Sequence, residues 1–354
     1  MWTVAAVLVL PAVYGVSIFG LNALITILIS VASCVATEFA IYGLFRHKTT
    51  VQDGSAVVTG LLLAFVLPPA SPWYVPLVGG VFAIAVVKLA FGGLGYNIWN
   101  PALAARAFLL ACWSVSLVST WTNPVAHVRE LRRTNDQLQM ISTRVDGVTA
   151  ATPLNARKRA LAVYNEAIQK GREQSLPPAF RIEDPKEILR RLNVANKTSY
   201  LDLLVGLRGG CIGETCVVLL LLGGTILLIR GYIKWYIPIP YIATVALLTW
   251  ALPVRLEMPG GAARLIAFAG DPLFHVLSGG LVLGAFFMAT DMVTSPLTQK
   301  GCIIFAVGCG LMTALIRIYG GYPEGVCYSI LLMNTATPLI DRYTKPKTFG
   351  AVKK

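Results

Sequence analysis

Asp146-Gly147-Val148-Thr149-Ala150-Ala151-Thr152-Pro153-Leu154 is a small, polar stretch set between two strongly apolar halves of the chain. Thr152 followed by Pro153 has the pattern of a helix N-cap with proline at the first helical position, and it predicts a helix over residues 153 to 172. A helix start presents free backbone N–H groups and the positive end of the helix dipole, which suits a phosphate. Arg157, Lys158 and Arg159 add positive charge one turn on, and alanines at 150 and 151 let a bulky phosphorylated ligand approach the backbone. The chemistry this spacing points to is retention of a phosphate-bearing group at Thr152. Ordinary capping is compatible with it.

Ionisable side chains within apolar runs are the second set of candidates, because a charge in lipid is costly. Glu38, Lys88, Arg106, Glu214, Asp291 and Arg317 qualify. Glu38 and Glu214 are the candidates for an ion path. Lys88 and Arg106 suit pairing with those acids, and Arg317 and Asp291 are expected at helix ends, with their charged heads reaching the interface. The seven cysteines show no C-x-x-C spacing. Cys211 and Cys216 lie five apart, but two thiols do not complete a cluster, so no metal site is expected. His127 and His275 read as structural. No nucleophile triad or phosphate-cradling glycine loop is visible, and the many glycines read as close helix packing.

The elements that carry these residues belong to a membrane. The chain is 56% hydrophobic and 13% charged, against roughly 25% charged in soluble domains, and its mean hydropathy is +0.67. Apolar segments at residues 2 to 18, 21 to 45, 54 to 67, 73 to 91 and 100 to 119 form one group. Those at 212 to 230, 236 to 253, 272 to 290, 301 to 319 and 324 to 340 form another. The first lacks a basic flank before it and reads as a retained helix, not a cleaved leader. Between the groups, residues 120 to 200 carry 14 Lys/Arg and 8 Asp/Glu, with helices expected at 125 to 141, 153 to 172 and 184 to 193. The expected organisation is a membrane repeat at 1–119, an extramembrane segment at 120–200, a second repeat at 201–342 and a basic tail at 343–354.

The halves echo one another. Thr59-Gly60 matches Ser278-Gly279, Ser71-Pro72 matches Ser295-Pro296, and Phe91-Gly92-Gly93 matches Tyr319-Gly320-Gly321, at offsets drifting from 219 to 228. Five segments per copy would invert the second copy in the bilayer. The fold expected is thus all-α integral membrane, with ten transmembrane segments as two inverted five-helix repeats containing short broken helices, plus an extracytoplasmic helical loop domain. Loop charges orient it: ten Lys/Arg lie in the 2/3, 4/5, 6/7 and 8/9 loops and the tail, against Arg255 and Arg264 in the short loops opposite. The tail is therefore expected in the cytoplasm and Thr152 outside.

Asp146, Thr149, Ala151 and Thr152 fall on the D-x-x-[S/T]-G-A-T pattern by which flavin transferases mark a threonine for phosphoester-linked FMN, with Ala150 where the pattern usually has glycine. Other stretches carry a wider likeness: Asp53-Gly54-Ser55 to Leu67-Pro68-Pro69, Phe91-Gly92-Gly93-Leu94-Gly95, Asn100-Pro101-Ala102-Leu103, Gly213-Glu214-Thr215, Met288-Ala289-Thr290-Asp291 with Thr294-Ser295-Pro296, and Ala336-Thr337-Pro338-Leu339-Ile340-Asp341-Arg342. Over nearly its whole length the chain resembles the D-subunit family of the Rnf complex, the ion-translocating ferredoxin:NAD+ oxidoreductase. More distantly it resembles the B-subunit family of the Na+-translocating NADH:quinone reductase.

The resemblance implies a redox subunit of a bacterial or archaeal cytoplasmic (inner) membrane, coupling electron transfer to Na+ or H+ translocation. It implies covalent FMN on Thr152, a further non-covalent riboflavin in the membrane part, and Lys88 and Arg106 as alternative partners for flavin phosphate or carbonyl groups. The partners implied are the A, B, C, E and G subunits of the Rnf complex, above all the FMN-bearing G subunit, with a flavin transferase for maturation, membrane lipid and no nucleic acid. Rival readings are the B subunit of the quinone reductase, or a channel or secondary transporter with the same inverted repeat. Thr335-Ala336-Thr337-Pro338-Leu339 repeats the wording of the motif, but Leu331 and Asn334 stand where Asp146 and Thr149 do, so Thr337 is not expected to carry flavin.

Overall fold

The computed structural model describes residues 1–44, 51–114, 117, 152–170, 188, 200–207, 209–214, 216–258, 263–321 and 324–345. Asp146, Thr149 and Ala151 lie outside the described residues, as do the helix expected at 125 to 141 and all of 184 to 193 except residue 188.

In the N-terminal half, α1 (Trp2–Phe19) and α2 (Leu21–Leu44) are joined at Gly20, whose φ of 74° lets the chain reverse. The next helix, α3 (Ser55–Phe65), is buried almost all round. Its eleven residues reach only about 16 Å at 1.5 Å per residue, roughly half the bilayer core. α4 (Tyr74–Val81) runs into a π-helical turn (Phe82–Leu89), and α5 (Pro101–Cys112) is capped by Asn100, whose side chain accepts from the N–H groups of Ala102 and Leu103. Among the described residues, α6 (Pro153–Gln169) and α7 (Tyr200–Val205) follow.

The C-terminal half contains α8 (Val217–Ile229), α9 (Pro238–Ala251), α10 (Pro272–Leu277), α11 (Leu281–Leu283) running into a second π turn (Gly284–Met288), α12 (Gln299–Tyr319) and α13 (Val326–Thr344). Among the described residues, α1, α2 and α12 are long and apolar enough to cross a membrane; α3, α4 with its π turn, α5, α8 and α9 are apolar but shorter. The predominantly helical expectation holds, with one departure among the described residues. β1 (Val254–Glu257) and β2 (Ala263–Ile266) pair as an antiparallel hairpin, Val254 to Ile266 through Glu257 to Ala263. Four-residue strands give too short an alternation to register against the apolar runs beside them.

Each half is built around its second helix. α2 carries α3 and α4, and α9 carries α10 and α12. The contacts are at backbone distance: a Cβ on Gly60 would stand 2.6 Å from the Val31 Cα of α2, and one on Gly310 of α12 would stand 2.6 Å from the Thr244 Cβ of α9.

The halves are also tied at their broken helices. Just past α3, the carbonyls of Val66 and Leu67 accept from the Cys211 thiol and the Ile212 N–H, each at 3.2 Å. In return, Asn100 Nδ2 of the first half donates to the Met288 carbonyl at the end of the second π turn, at 3.3 Å.

Candidate functional site

Thr152 caps α6 as its sequence indicates: its backbone is extended, and its Oγ1 accepts from the Asn155 N–H at 3.4 Å. The residue is 2% exposed. The helix lies on the C-terminal half. Leu154 rests against Gly279, whose φ of 71° and lack of a Cβ make room for it; a Cβ there would be 3.0 Å from Leu154 Cδ1. Arg157 sits over the Phe274 ring, 5.5 Å from its centroid, and contacts His275 Nε2. Lys158 Nζ donates to the Gly320 carbonyl at 2.7 Å and reaches that of Ile316 at 3.4 Å. Farther along, Asn165 accepts from the Glu257 N–H of the hairpin at 3.0 Å, and Tyr164 and Ile168 form a small apolar core with Leu256, Met258 and Ile266.

Two of the three basic residues therefore dock the helix, and only Arg159 is exposed. Burial lowers the pKa of Arg157, and burial with the nearby Arg317 guanidinium brings Lys158 down to about 8. A glycine-rich cleft opens beside this helix start, lined by Pro153, Gly206, Gly209, Gly210, Glu214 and Gly279 among others. The helix N-terminus favours a phosphate, whereas the charged side chains that line the cleft itself are the acids Asp202 and Glu214. In the unmodified chain the Thr152 hydroxyl itself is turned into the cap.

Lys158 gives a direct check. With a folded pKa near 8 and an ordinary lysine near 10.4, its amine is neutral in the folded protein at a pH where the unfolded chain still holds the proton. The stability cost of burying the charge is fully present below pH 8 and fades as pH rises toward the ordinary value. Amine-directed labelling read by mass spectrometry should reach half its plateau at Lys158 near pH 8. A midpoint above pH 10, the ordinary range, would show that the docked geometry does not hold in solution.

Glu38, Lys88, Arg106 and Glu214 fall into two separate groups. Lys88 Nζ lies 2.9 Å from both oxygens of Glu38 and 2.7 Å from Ser55 Oγ, joining the π turn, α2 and α3; the side chains are 2% and 0% exposed. The second group gathers where the halves meet. Arg106 of α5 pairs with Glu324 and lies 3.8 Å from Cys211 Sγ, and a carboxyl oxygen of Glu214 lies within 4.8 Å of one of Glu324. The two proposed ion-path acids, Glu38 and Glu214, are thus in different places, and both cations are engaged with acids.

Arg317 lies in the last turn of α12, at a helix end as expected, but its head turns inward: it is 2% exposed and donates to the carbonyls of His275 and Ser278 beneath α6. Asp291 stands just past the second π turn, accepting from the Val293 N–H at 3.3 Å.

Glu324 escapes a reading of the sequence because it stands at the margin of the last apolar run, next to Gly325. An acid beside a helix-starting glycine is the available signal. The thiol of Cys211 and the carboxylates of Glu214 and Glu324 lie within 4.8 Å of one another, whereas Cys216 is not part of this group. Arg106 already occupies one oxygen of Glu324.

A cavity of about 500 Å³ lies between the halves, mostly apolar, with Thr59, Lys88, Asn97, Asn100, Thr290 and Asp291 as its polar wall. Such a lining suits a flat aromatic ring system with a hydroxylated tail.

Comparison with known proteins covers the chain almost end to end. The family model described as the NQR2, RnfD, RnfE family matches residues 1–350. The chain is 43% identical over 351 residues to the D subunit of the proton-translocating ferredoxin:NAD(+) oxidoreductase complex of Clostridium ljungdahlii, covering 99% of this chain and 91% of that one. It is 46% identical over 338 residues to the D subunit of the Na(+)-translocating ferredoxin:NAD(+) oxidoreductase complex of Acetobacterium woodii, covering 95% and 85%. To the D subunit of the ion-translocating oxidoreductase complex of Stutzerimonas stutzeri it is 37% identical over 348 residues, covering 95% and 87%.

Proposed function

The chain belongs to the NQR2, RnfD, RnfE family, and from this premise we propose that it is the D subunit of a membrane-bound, ion-translocating ferredoxin:NAD+ oxidoreductase. The observation that carries this is the end-to-end match to two D subunits at 43% and 46% identity. It is a redox subunit of a larger complex, working beside the A, B, C, E and G subunits, and it couples electron transfer to Na+ or H+ movement across the cytoplasmic membrane.

Within that role, Thr152 anchors FMN through a phosphoester made by a flavin transferase. The flavin, when bound, supplies one-electron chemistry. The chain supplies the anchoring oxygen, the N–H groups of the α6 start, and the positive field of Arg157 and Lys158 for the phosphate. The cavity walled by Asn97, Asn100 and Lys88 suits the non-covalent riboflavin.

The ten apolar elements read as two inverted five-helix repeats. The parallel packing around α2 and α9 favours this. On this reading the loop charges support Thr152 outside the membrane and the tail inside. The contacts of α6 agree in sense, since it touches the hairpin and Gly320, both in connections that the same count assigns to the outer face.

The test is genetic and biochemical. Membranes from cells lacking this chain should lose ferredoxin-dependent NAD+ reduction and its ion gradient, and regain both on complementation. Undiminished activity in the deletion would overturn the reading. Loss of NADH-driven quinone reduction instead would assign the chain to the quinone-reductase branch.

A further inference from the structure

Glu214 and Glu324 meet where the two halves of the membrane part join. Glu214 closes the 3-10 turn Ile212–Glu214 ahead of α8, and Glu324 stands just before α13. An oxygen of each carboxyl group lies within 4.8 Å of the other. Two ionised carboxylates that close repel and can only accept, so they can bond to each other only through a proton on one of them. Arg106 takes up one oxygen of Glu324. Arg106 and the two acids carry an excess negative charge when both acids are ionised and none when a single proton is bound, with the Arg317 guanidinium a further positive charge nearby that is not bonded to them. A low-dielectric interior strongly favours the second state.

Oε1 of each acid is buried without a hydrogen-bond partner among the described residues. The other titratable or charged groups around the pair, among the described residues, are Cys211, Cys327 on α13, Arg317 on α12 and Asp202 on α7, which lines the same cleft as Glu214. Both thiols donate to carbonyls, Cys211 to Val66 and Cys327 to Leu103, and Arg317 donates to the carbonyls of His275 and Ser278. That leaves Arg106 as the cation bonded to the pair. Glu214 also lines the glycine-walled cleft that begins at Pro153.

We propose that Glu214 and Glu324 share one proton and form a proton-loading site, reached through the cleft beside the start of α6. This rests on the reading of the chain as a subunit of a redox-driven ion pump, and it names the site within it. Loading is protonation alone: one H+ from the cleft forms one O–H bond, and the charge of the Arg106–Glu214–Glu324 trio goes from −1 to 0. Negative charge arriving near Thr152 favours the loaded form, and its departure favours release.

The test uses the intact complex in liposomes. Reduced-minus-oxidised infrared difference spectra, recorded over a range of pH in H2O and D2O, should contain a deuterium-sensitive carboxylic-acid C=O band. Glu214→Gln, whose amide still donates to Glu324, should lose that band and move fewer ions per NADH formed. Glu214→Asp should keep a displaced band, which separates loss of the proton from loss of the fold. A band that persists in Glu214→Gln, or an unchanged ion-to-NADH ratio, overturns the proposal. So does a band that follows Na+ concentration at fixed pH, which would make this a sodium site. Ultraviolet fluorescence of the denatured subunit in the same preparation reads flavin attachment independently. A dark subunit with the carboxyl band intact refutes the flavin anchor alone; a fluorescent subunit without the band refutes the proton site alone.

Discussion

Thr152→Ala will abolish the ultraviolet-fluorescent band of this subunit on a denaturing gel, after co-expression with a flavin transferase, while the polypeptide itself still accumulates. The expected effect on attached flavin is complete, because alanine has no oxygen from which a phosphoester can form. The expected effect on stability is small, since losing an N-cap hydroxyl typically costs about 1 kcal/mol and α6 is also held by Leu154, Arg157 and Lys158 on the second half. Thr337→Ala is the matched control and should leave the band bright. Although Thr337 is also followed by proline, it lies inside α13, where its hydroxyl donates to the carbonyls of Thr294 at 2.9 Å and Met333 at 3.1 Å. It begins no helix and presents no free N–H groups. A fluorescent Thr152→Ala band, or a dark wild-type one, would move the flavin elsewhere or remove it.

The second large effect concerns Glu38 and Lys88. Either Glu38→Gln or Lys88→Met leaves one charge buried at the junction of α2, α3 and the first π turn, and stranding one partner of a buried ion pair costs about 3 to 5 kcal/mol. Both single variants should show a sharply lowered unfolding temperature in detergent and reduced accumulation in membranes. The double variant Glu38→Leu with Lys88→Met should recover much of the loss, because it removes the charges together. Equal damage from the double and the singles would indicate that these side chains are needed for more than each other's neutralisation.

Local features were the ones legible in the sequence. The Thr152-Pro153 cap and the positions of the apolar helices depend on neighbours within a turn, and the structure has the cap where spacing put it. The partners of the charged residues were not legible. Lys88 meets an acid 50 positions away and Arg106 one 218 away, and nothing in periodicity ranks such pairs. Arg317 illustrates the difference: a basic residue near a helix end ordinarily reaches outward, but here α6 covers that end and the carbonyls of His275 and Ser278 receive the guanidinium. The basic run after Thr152 could be read as phosphate-binding charge, yet only the folded chain shows that Arg157 and Lys158 also fasten the helix down.

The exchange of hydrogen bonds between the broken helices bears on how the protein is made. When the first five helices emerge from the ribosome, the carbonyls of Val66 and Leu67 have no native donors, because those donors sit on Cys211 and Ile212, well over a hundred residues farther along the chain. Unpartnered backbone groups are not tolerated in lipid, so the N-terminal half must wait in an unfinished state, with α3 held at a watery edge or by other protein. Only synthesis of the second half, which in turn needs Asn100 for its Met288 carbonyl, allows either half to seal.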